Sequence, residues 1–181
     1  MITALGIFAG LGLGVIFALM RLSRFKIVQA PARAYIYVIR GTPLLLQLLL
    51  IYFGLYNIVA LDRIPSAVLA LGIHNGAYIA EIVRGAIQSV DRGQREAGIS
   101  LGMTGQKVMS RIILPQAFKR AIPPLGNQFI ISLKDTSLFI VIGVGELTRQ
   151  GQEIMASNFR ALEIWLTVAI MYLIMTTALA V

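Results

Sequence analysis

Five apolar stretches alternate with basic or mixed-polar connectors along the chain. They cover Met1–Met20, about Ala34–Ile58, about Pro65–Val90, about Ile112–Val144, and Ile164 to the last residue. About 20 consecutive apolar residues are needed for a helix to cross the hydrocarbon core. The pattern therefore predicts an all-α, polytopic membrane protein with five transmembrane helices. Gly6, Gly10 and Gly14 fall four apart on one face of the first helix, a small-xxx-small spacing that lets a second helix approach closely. The fourth stretch carries Pro115, Pro123 and Pro124, and is expected to be interrupted there.

The connectors set an orientation. Residues 21–40 hold five basic side chains and no acid, and residues 84–120 hold seven, from Arg84 to Arg120. Connectors 58–65 and 143–163 hold only Arg63, Arg149 and Arg160, together with four of the eight acids. Basic residues concentrate on the cytoplasmic side, so connector 84–120 is expected to be cytoplasmic, with the first residue outside.

One connector is unlike the rest. Asp91–Arg111 is polar and glycine-punctuated, and reads as two short helices. Asp91 caps the first, with Gln94 three residues on as in a capping box. Gly102 sits where a left-handed terminating residue belongs, and Thr104 caps the second. Such a hairpin is either a docking knob or an ordinary solvated loop.

Composition narrows the class. The chain has 181 residues, 57% hydrophobic and 13% charged, against about 45–50% and about 25% in soluble domains. The net charge of +8 follows the orientation pattern, so nucleic acid is not an expected partner. There is no cysteine, hence no disulfide or thiolate metal site. His74 is the single histidine and reads as a hydrogen-bonded helix residue. No phosphate-binding loop of the G-x-x-x-x-G-K-[ST] type and no G-x-S-x-G elbow is present, and "GLGLG" at 10–14 lacks the context of a nucleotide loop. No basic segment precedes the first apolar run, as a signal peptide would require. The chain begins and ends inside apolar runs, and residues 1–181 read as one membrane domain trimmed at both ends.

The spacing Glu96-Ala97-Gly98, three residues, Gly102, nine residues, then Ile112-x-Leu114-Pro115 resembles the E-A-A loop of the membrane subunits of bacterial binding-protein-dependent ABC importers. Gly98 replaces the second alanine of that pattern. "VIRGTPLLLQ" (38–47), "NGAYIAEIVRGAIQSV" (75–90), "PPLGNQFIISLKDTSL" (123–138) and "ELTRQGQEI" (146–154) are similar to the polar amino-acid branch, and residues 133–154 and 158–165 look especially like the glutamine importers. The resemblance implies that loop 91–115 is a coupling helix. Glu96, Ala97, Gly98, Gly102, Leu114 and Pro115 would meet a separate ATP-binding subunit, which would hold the ATP and magnesium. This chain would then be no enzyme and hold no cofactor. Further implied partners are a second permease subunit (identical or a close paralogue) and an external substrate-binding protein, in a bacterial inner membrane. The implied substrate is a polar amino acid, glutamine first, with arginine, histidine or glutamate as alternatives.

Ionisable residues at membrane depth are costly and mark pathways as well as structural pairs. Lys134 and Asp135, followed by Thr136 and Ser137, can offer a cation to a substrate carboxylate and an anion to its ammonium, or can hold helices together. Asn75, Tyr78 and Glu81 recur at i, i+3 and i+6, a possible polar cavity wall, although Glu81 and Arg84 can simply pair. Asn127 and Gln128 add amides. Arg40-Gly41-Thr42-Pro43 opens the second stretch with a proline that can break the helix, so Arg40 and Thr42 are either path-lining or a snorkelling cation beside a helix start. Trp165 and Tyr172 read as interface or lipid-facing residues. The rival classes are a channel or secondary transporter working without an ATPase, a membrane-embedded enzyme, and a subunit that holds the motor without touching substrate.

Overall fold

The structure is a computed structural model that describes residues 1–180. The described residues form nine α-helices and no strand. Helices α1 (Ile2–Leu22) and α4 (Arg63–Gln88) are the central pair. They run parallel at a constant offset: Gly6 faces Leu71, Gly10 faces Asn75 and Gly14 faces Ile79. A Cβ at these glycines would stand 2.7, 2.7 and 2.5 Å from its neighbour, so only glycine permits this approach. The contact is answered from α4, where Gly72 meets Ala9 and Gly76 meets Leu13 and the Tyr35 hydroxyl. The buried positions of α1 are all small: Thr3, Gly6, Gly10, Gly14 and Ala18.

Helix α2 (Lys26–Arg40) returns antiparallel along α4, with the Tyr35 hydroxyl donating to the Ile73 carbonyl at 2.6 Å. Phe17 stacks on Tyr35 with centroids 4.0 Å apart. The chain then turns through 105° into α3 (Leu44–Leu49), which widens into a π turn at Leu50–Gly54. The second membrane element thus differs from the sequence expectation. It begins at Lys26 inside the basic connector, not near Ala34, and it is two helices at a sharp bend. Pro43 disfavours helical backbone at Thr42 and supplies no N–H. Gln47 covers what the break frees. Its Nε2 donates to the Ile39 carbonyl (2.8 Å), the Thr42 carbonyl (3.1 Å) and Thr42 Oγ1 (2.9 Å). Its Oε1 lies 3.1 Å from His74 Nδ1, which makes that nitrogen the donor. Irregular backbone inside a bilayer requires such internal partners.

Helices α5 (Arg92–Ser100) and α6 (Gly105–Val108) follow α4. A π turn at Met109–Ile113 leads into α7 (Leu114–Asp135) and a 3₁₀ turn at Thr136–Ile142. The whole of Gly105–Ile142 is one helical run of 38 residues. The expected interruption at Pro115 is therefore absent. The π turn, in which the Leu114 N–H reaches the Met109 carbonyl, supplies the wider turn that a proline needs just downstream. Pro123 and Pro124 also lie inside α7 without ending it. Helices α8 (Leu147–Asn158) and α9 (Ala161–Ala180) close the described chain.

Three apolar clusters hold the bundle. Leu44, Leu48, Leu71, Phe139 and Ile142 join α3, α4 and the 3₁₀ turn. Ala18, Ile36, Ala77 and Ala80 join α1, α2 and α4. Ala86, Val90, Val108, Ile113 and Ala117 join the end of α4 to the α5–α6 hairpin and α7. Outside these, large apolar side chains face outward, among them Phe8, Leu173 and Ile174, as lipid solvation permits. Four described helices are long and apolar enough to cross a membrane, and the bent pair α2–α3 makes a fifth if taken as one broken span.

Candidate functional site

The α5–α6 hairpin is built by local hydrogen bonds. Asp91 Oδ1 accepts from the Gly93 N–H at 2.8 Å, and Thr104 Oγ1 accepts from the Lys107 N–H at 3.4 Å. The reciprocal half of the capping box is absent: Gln94 Oε1 instead accepts from Gln116 Nε2 at 3.2 Å, tying α5 to α7. Gly102 has φ +77°, the left-handed region glycine enters without a Cβ penalty. The turn is closed by N–H to carbonyl bonds from Gly102 to Ile99 (2.9 Å) and from Met103 to Gly98 (3.1 Å). Gly98 is the buried residue of α5; a Cβ there would stand 2.8 Å from Val108 Cγ2 and 3.0 Å from Ile112 Cδ1. Arg120 fixes the base of the hairpin by donating to the Ser89 carbonyl.

Glu96, Ala97, Leu114 and Pro115 are exposed on this hairpin and its exit. Gly98 shapes it from within, and the exposed Gly102 forms its turn. Ile99 and Leu101 are 51% and 82% exposed, and sequence reading missed them. Their signal was two apolar residues inside an otherwise polar insert.

A second polar constellation lies between α1, α2 and α4, around a cavity of about 660 Å³. Arg21, Arg33, Arg40 and Glu81 line it with Ile36 and Tyr37. Arg84 grips the Glu81 carboxylate through Nη2 at 2.6 Å and Nε at 3.0 Å, while Arg21 Nε stands 3.6 Å away. The Arg40 guanidinium lies 5.2 Å over the Tyr78 ring, which in turn packs on His74 at 5.0 Å.

The expected face of Asn75, Tyr78 and Glu81 divides. Tyr78 and Glu81 stay with the arginines. Asn75 is fully enclosed and its Oδ1 accepts from Gln128 Nε2 (2.9 Å) and Ser132 Oγ (2.8 Å), joining α4 to α7. Thr42 Oγ1 donates to the Val38 carbonyl at 2.8 Å as part of the bend. Asn127 is exposed on α7, one residue from the buried Gln128.

Lys134 and Asp135 end α7 where it tightens into the 3₁₀ turn. Lys134 is exposed and Asp135 half-buried. Thr136 is buried, its Oγ1 donating to the Leu133 carbonyl at 2.7 Å, and Ser137 is half-buried. The turn stops at Gly143, φ +72°. The arginine cavity and residues 134–137 share no lining residue. Arg21, Arg33 and Gln47 were not singled out from the sequence. The two arginines entered only as orientation charges, and Gln47, four residues after Pro43, looked like one amide in an apolar run. Among the described residues no group of three His, Cys, Asp or Glu could hold a metal ion.

Residues 10–181 match the family described as binding-protein-dependent transport system inner membrane components. The chain is 52% identical over 182 residues to the glutamine transport system permease protein GlnP of Escherichia coli strain K12, covering 99% of this chain and 83% of that protein. It is 47% identical over 174 residues to the L-cystine transport system permease protein TcyB of Bacillus subtilis strain 168, covering 94% and 74%. Among solved structures, a crystal structure of an amino acid ABC transporter with histidines superposes with a TM-score of 0.95 at 44% identity, covering 99% of this chain and 84% of that one. The MetNI methionine ABC transporter in an inward-facing form shares the fold at 19% identity and a TM-score of 0.77, covering 98% and 84%.

Proposed function

The chain belongs to the binding-protein-dependent transport system inner membrane components, and on that premise we propose that it moves a polar amino acid, glutamine, inward across the membrane. It is a multi-pass inner membrane protein and no enzyme; ATP hydrolysis belongs to a separate subunit. All of 1–181 acts as one permease domain, working with a second permease subunit, either identical or a close paralogue. ATP and magnesium bind the motor, and an external binding protein delivers the substrate.

The observation that carries this reading is the hairpin. Glu96 and Ala97 are presented outward on a rigid knob, held by Gly98 against Val108 and by the Gly102 turn, with Leu114 and Pro115 at its exit. A groove on the ATP-binding subunit takes this knob from the cytoplasmic side, and ATP-driven closure passes through α6 and α7. A motor shifts a two-state permease only by its differential affinity for the two states, so a rigid knob transmits more than a loose one. Arg40, Thr42, Tyr78 and Glu81 lie along the substrate path, as do Lys134, Asp135, Thr136 and Ser137 further along α7. Asn75 and Asn127 flank that path, Asn75 through its bonds to α7.

The test is uptake of labelled glutamine into proteoliposomes holding the full complex, wild type against Glu96→Lys. Glu96 is exposed, so the variant is expected to fold and insert, yet to lose ATP-driven uptake by on the order of tenfold or more from one interfacial charge reversal. Uptake that proceeds without the ATP-binding subunit, or is untouched by the variant, overturns the reading. Labelled arginine, histidine and glutamate, run in parallel, decide the substrate.

A further inference from the structure

The cavity between α1, α2 and α4 holds more positive charge than the protein answers. Three guanidinium groups, Arg21, Arg33 and Arg40, line it, and the single carboxylate on its wall is Glu81. That carboxylate is already engaged by Arg84, which does not line the cavity. Arg21 Nε is buried and makes no hydrogen bond, reaching Glu81 only as an ion pair at 3.6 Å. Arg33 has only the amide oxygen of Gln29, at 2.5 Å. Arg33 and Arg40 are exposed and Arg21 is half-buried, so the three guanidinium groups are open to a ligand, and an anion among them is favoured by their excess positive charge.

The place is also informative. Glu81 lies seven residues before Gln88, the last residue of α4, or about 10 Å at 1.5 Å per residue. The cavity is thus inside the bundle's span, in the half that carries the α5–α6 hairpin. On α2, Gln29, Arg33, Tyr37 and Arg40 fall at i, i+4, i+8 and i+11, one face, flanked by the buried Ala32 and Ile36, of which Ile36 also lines the cavity. A stripe with two arginines at this depth does not face hydrocarbon; it lines an aqueous path. The volume, about 660 Å³, lies in the roughly 300–1,000 Å³ range of small-ligand sites.

We propose that Arg21, Arg33 and Arg40 form a carboxylate-binding station on the hairpin side of the path, which takes the α-carboxylate of the amino acid before release. The planar guanidinium fork matches a carboxylate in two-point contact. Glu81, held by Arg84, is not free for the ammonium group; it keeps the excess charge at a level that an outgoing zwitterion can leave. Tyr37, 82% exposed on the same stripe, gives the rest of the substrate an aromatic face. The station rests on the amino-acid permease reading and adds to it the chemical group that is read and where.

The test uses the complete complex, without the external binding protein, and measures equilibrium binding of L-glutamine and of 4-aminobutanamide, its analogue lacking the α-carboxylate. Arg33→Gln and Arg40→Gln are expected to weaken glutamine binding on the order of tenfold or more and to leave the analogue's weaker binding unmoved. Arg33→Lys is expected to recover part of the loss. Lys119→Gln, which removes one exposed cation outside the cavity, is expected to change nothing. Co-purification with the ATP-binding subunit confirms folding of each variant. Wild-type complex that transports glutamine while both arginine variants bind it normally overturns the station and leaves the permease reading standing. Wild-type complex that transports no amino acid overturns the permease reading itself. The same measurements in vesicles of phosphatidylcholine alone and with phosphatidylglycerol separate the sources of anion. Wild-type binding that falls to the variants' level without the anionic lipid assigns the cavity to a lipid phosphate, and overturns the station.

Discussion

Gln128 on α7 donates a 2.9 Å hydrogen bond to the side chain of Asn75 on α4, with both side chains closed off from solvent. Ser132, one turn further, donates to the same oxygen at 2.8 Å. This clasp is the polar link between the helix packed on α1 and the long helix that leaves the hairpin. Asn75→Ala removes the shared acceptor and strands the buried Gln128 amide, while Ser132 keeps the Gln128 carbonyl at 2.7 Å. A loss of about 1–3 kcal/mol is expected, read as a lower midpoint of thermal unfolding in detergent. A midpoint equal to wild type would show that the clasp contributes nothing.

Two neighbouring glycines of α1 are expected to respond in opposite directions. Gly10→Val forces a side chain where a Cβ would already stand 2.7 Å from the Asn75 Cβ, so α1 and α4 must part and the yield of folded protein should collapse. Gly12 has nothing within 4 Å of its notional Cβ. Gly12→Ala should stabilise the helix by about 0.5–1 kcal/mol. Thermal unfolding of the two variants checks both signs at once.

Gly102→Ala places a Cβ on a residue with φ +77°, at a cost of about 1–2 kcal/mol. Because the position is exposed and has open space around it, the penalty is conformational and local. Hydrogen exchange should quicken in residues 96–104 and stay unchanged in α4. Uniform acceleration across the bundle would contradict a local effect.

Gln47→Leu keeps the volume and removes the amide that serves Ile39, Thr42 and His74. The freed carbonyls then lack partners, and the 105° turn between α2 and α3 should relax. Spin labels at Tyr37 and Leu50, both exposed, should report a longer and broader distance distribution. An unchanged distribution would mean that Pro43 alone sets the bend.

The long apolar helices were legible because a lipid-crossing segment has to be continuous, as in α4 and α9. The glycine stripe of α1 also read correctly as a close-packing face. The hairpin was readable from Asp91, Gly102 and Thr104, whose roles depend on neighbours within a few residues. What escaped depends on distant partners. The first half of α2 was hidden because Lys26, Gln29 and Arg33 dilute its apolarity, although Ala32 and Ile36 mark a buried face once the partner α4 is known. The bonds of Asn75 to α7 were not legible, because nothing local reveals that Gln128 and Ser132, more than fifty positions away, close over it. Pro115 looked like a boundary because the wide turn that accommodates it precedes it and leaves no signature in residue type.

The absence of a break at Pro115 has a mechanical consequence. A continuous 38-residue helix from Gly105 to Ile142 is about 57 Å long at 1.5 Å per residue. Moved as a rigid body it would act as a lever arm: a tilt of about 5° imposed at Gly105 would sweep the far tip through about 5 Å by that length. Lys134 and Asp135 lie near that tip, so on the proposed coupling a small rotation at the hairpin would be delivered, amplified, to the opposite end of the bundle.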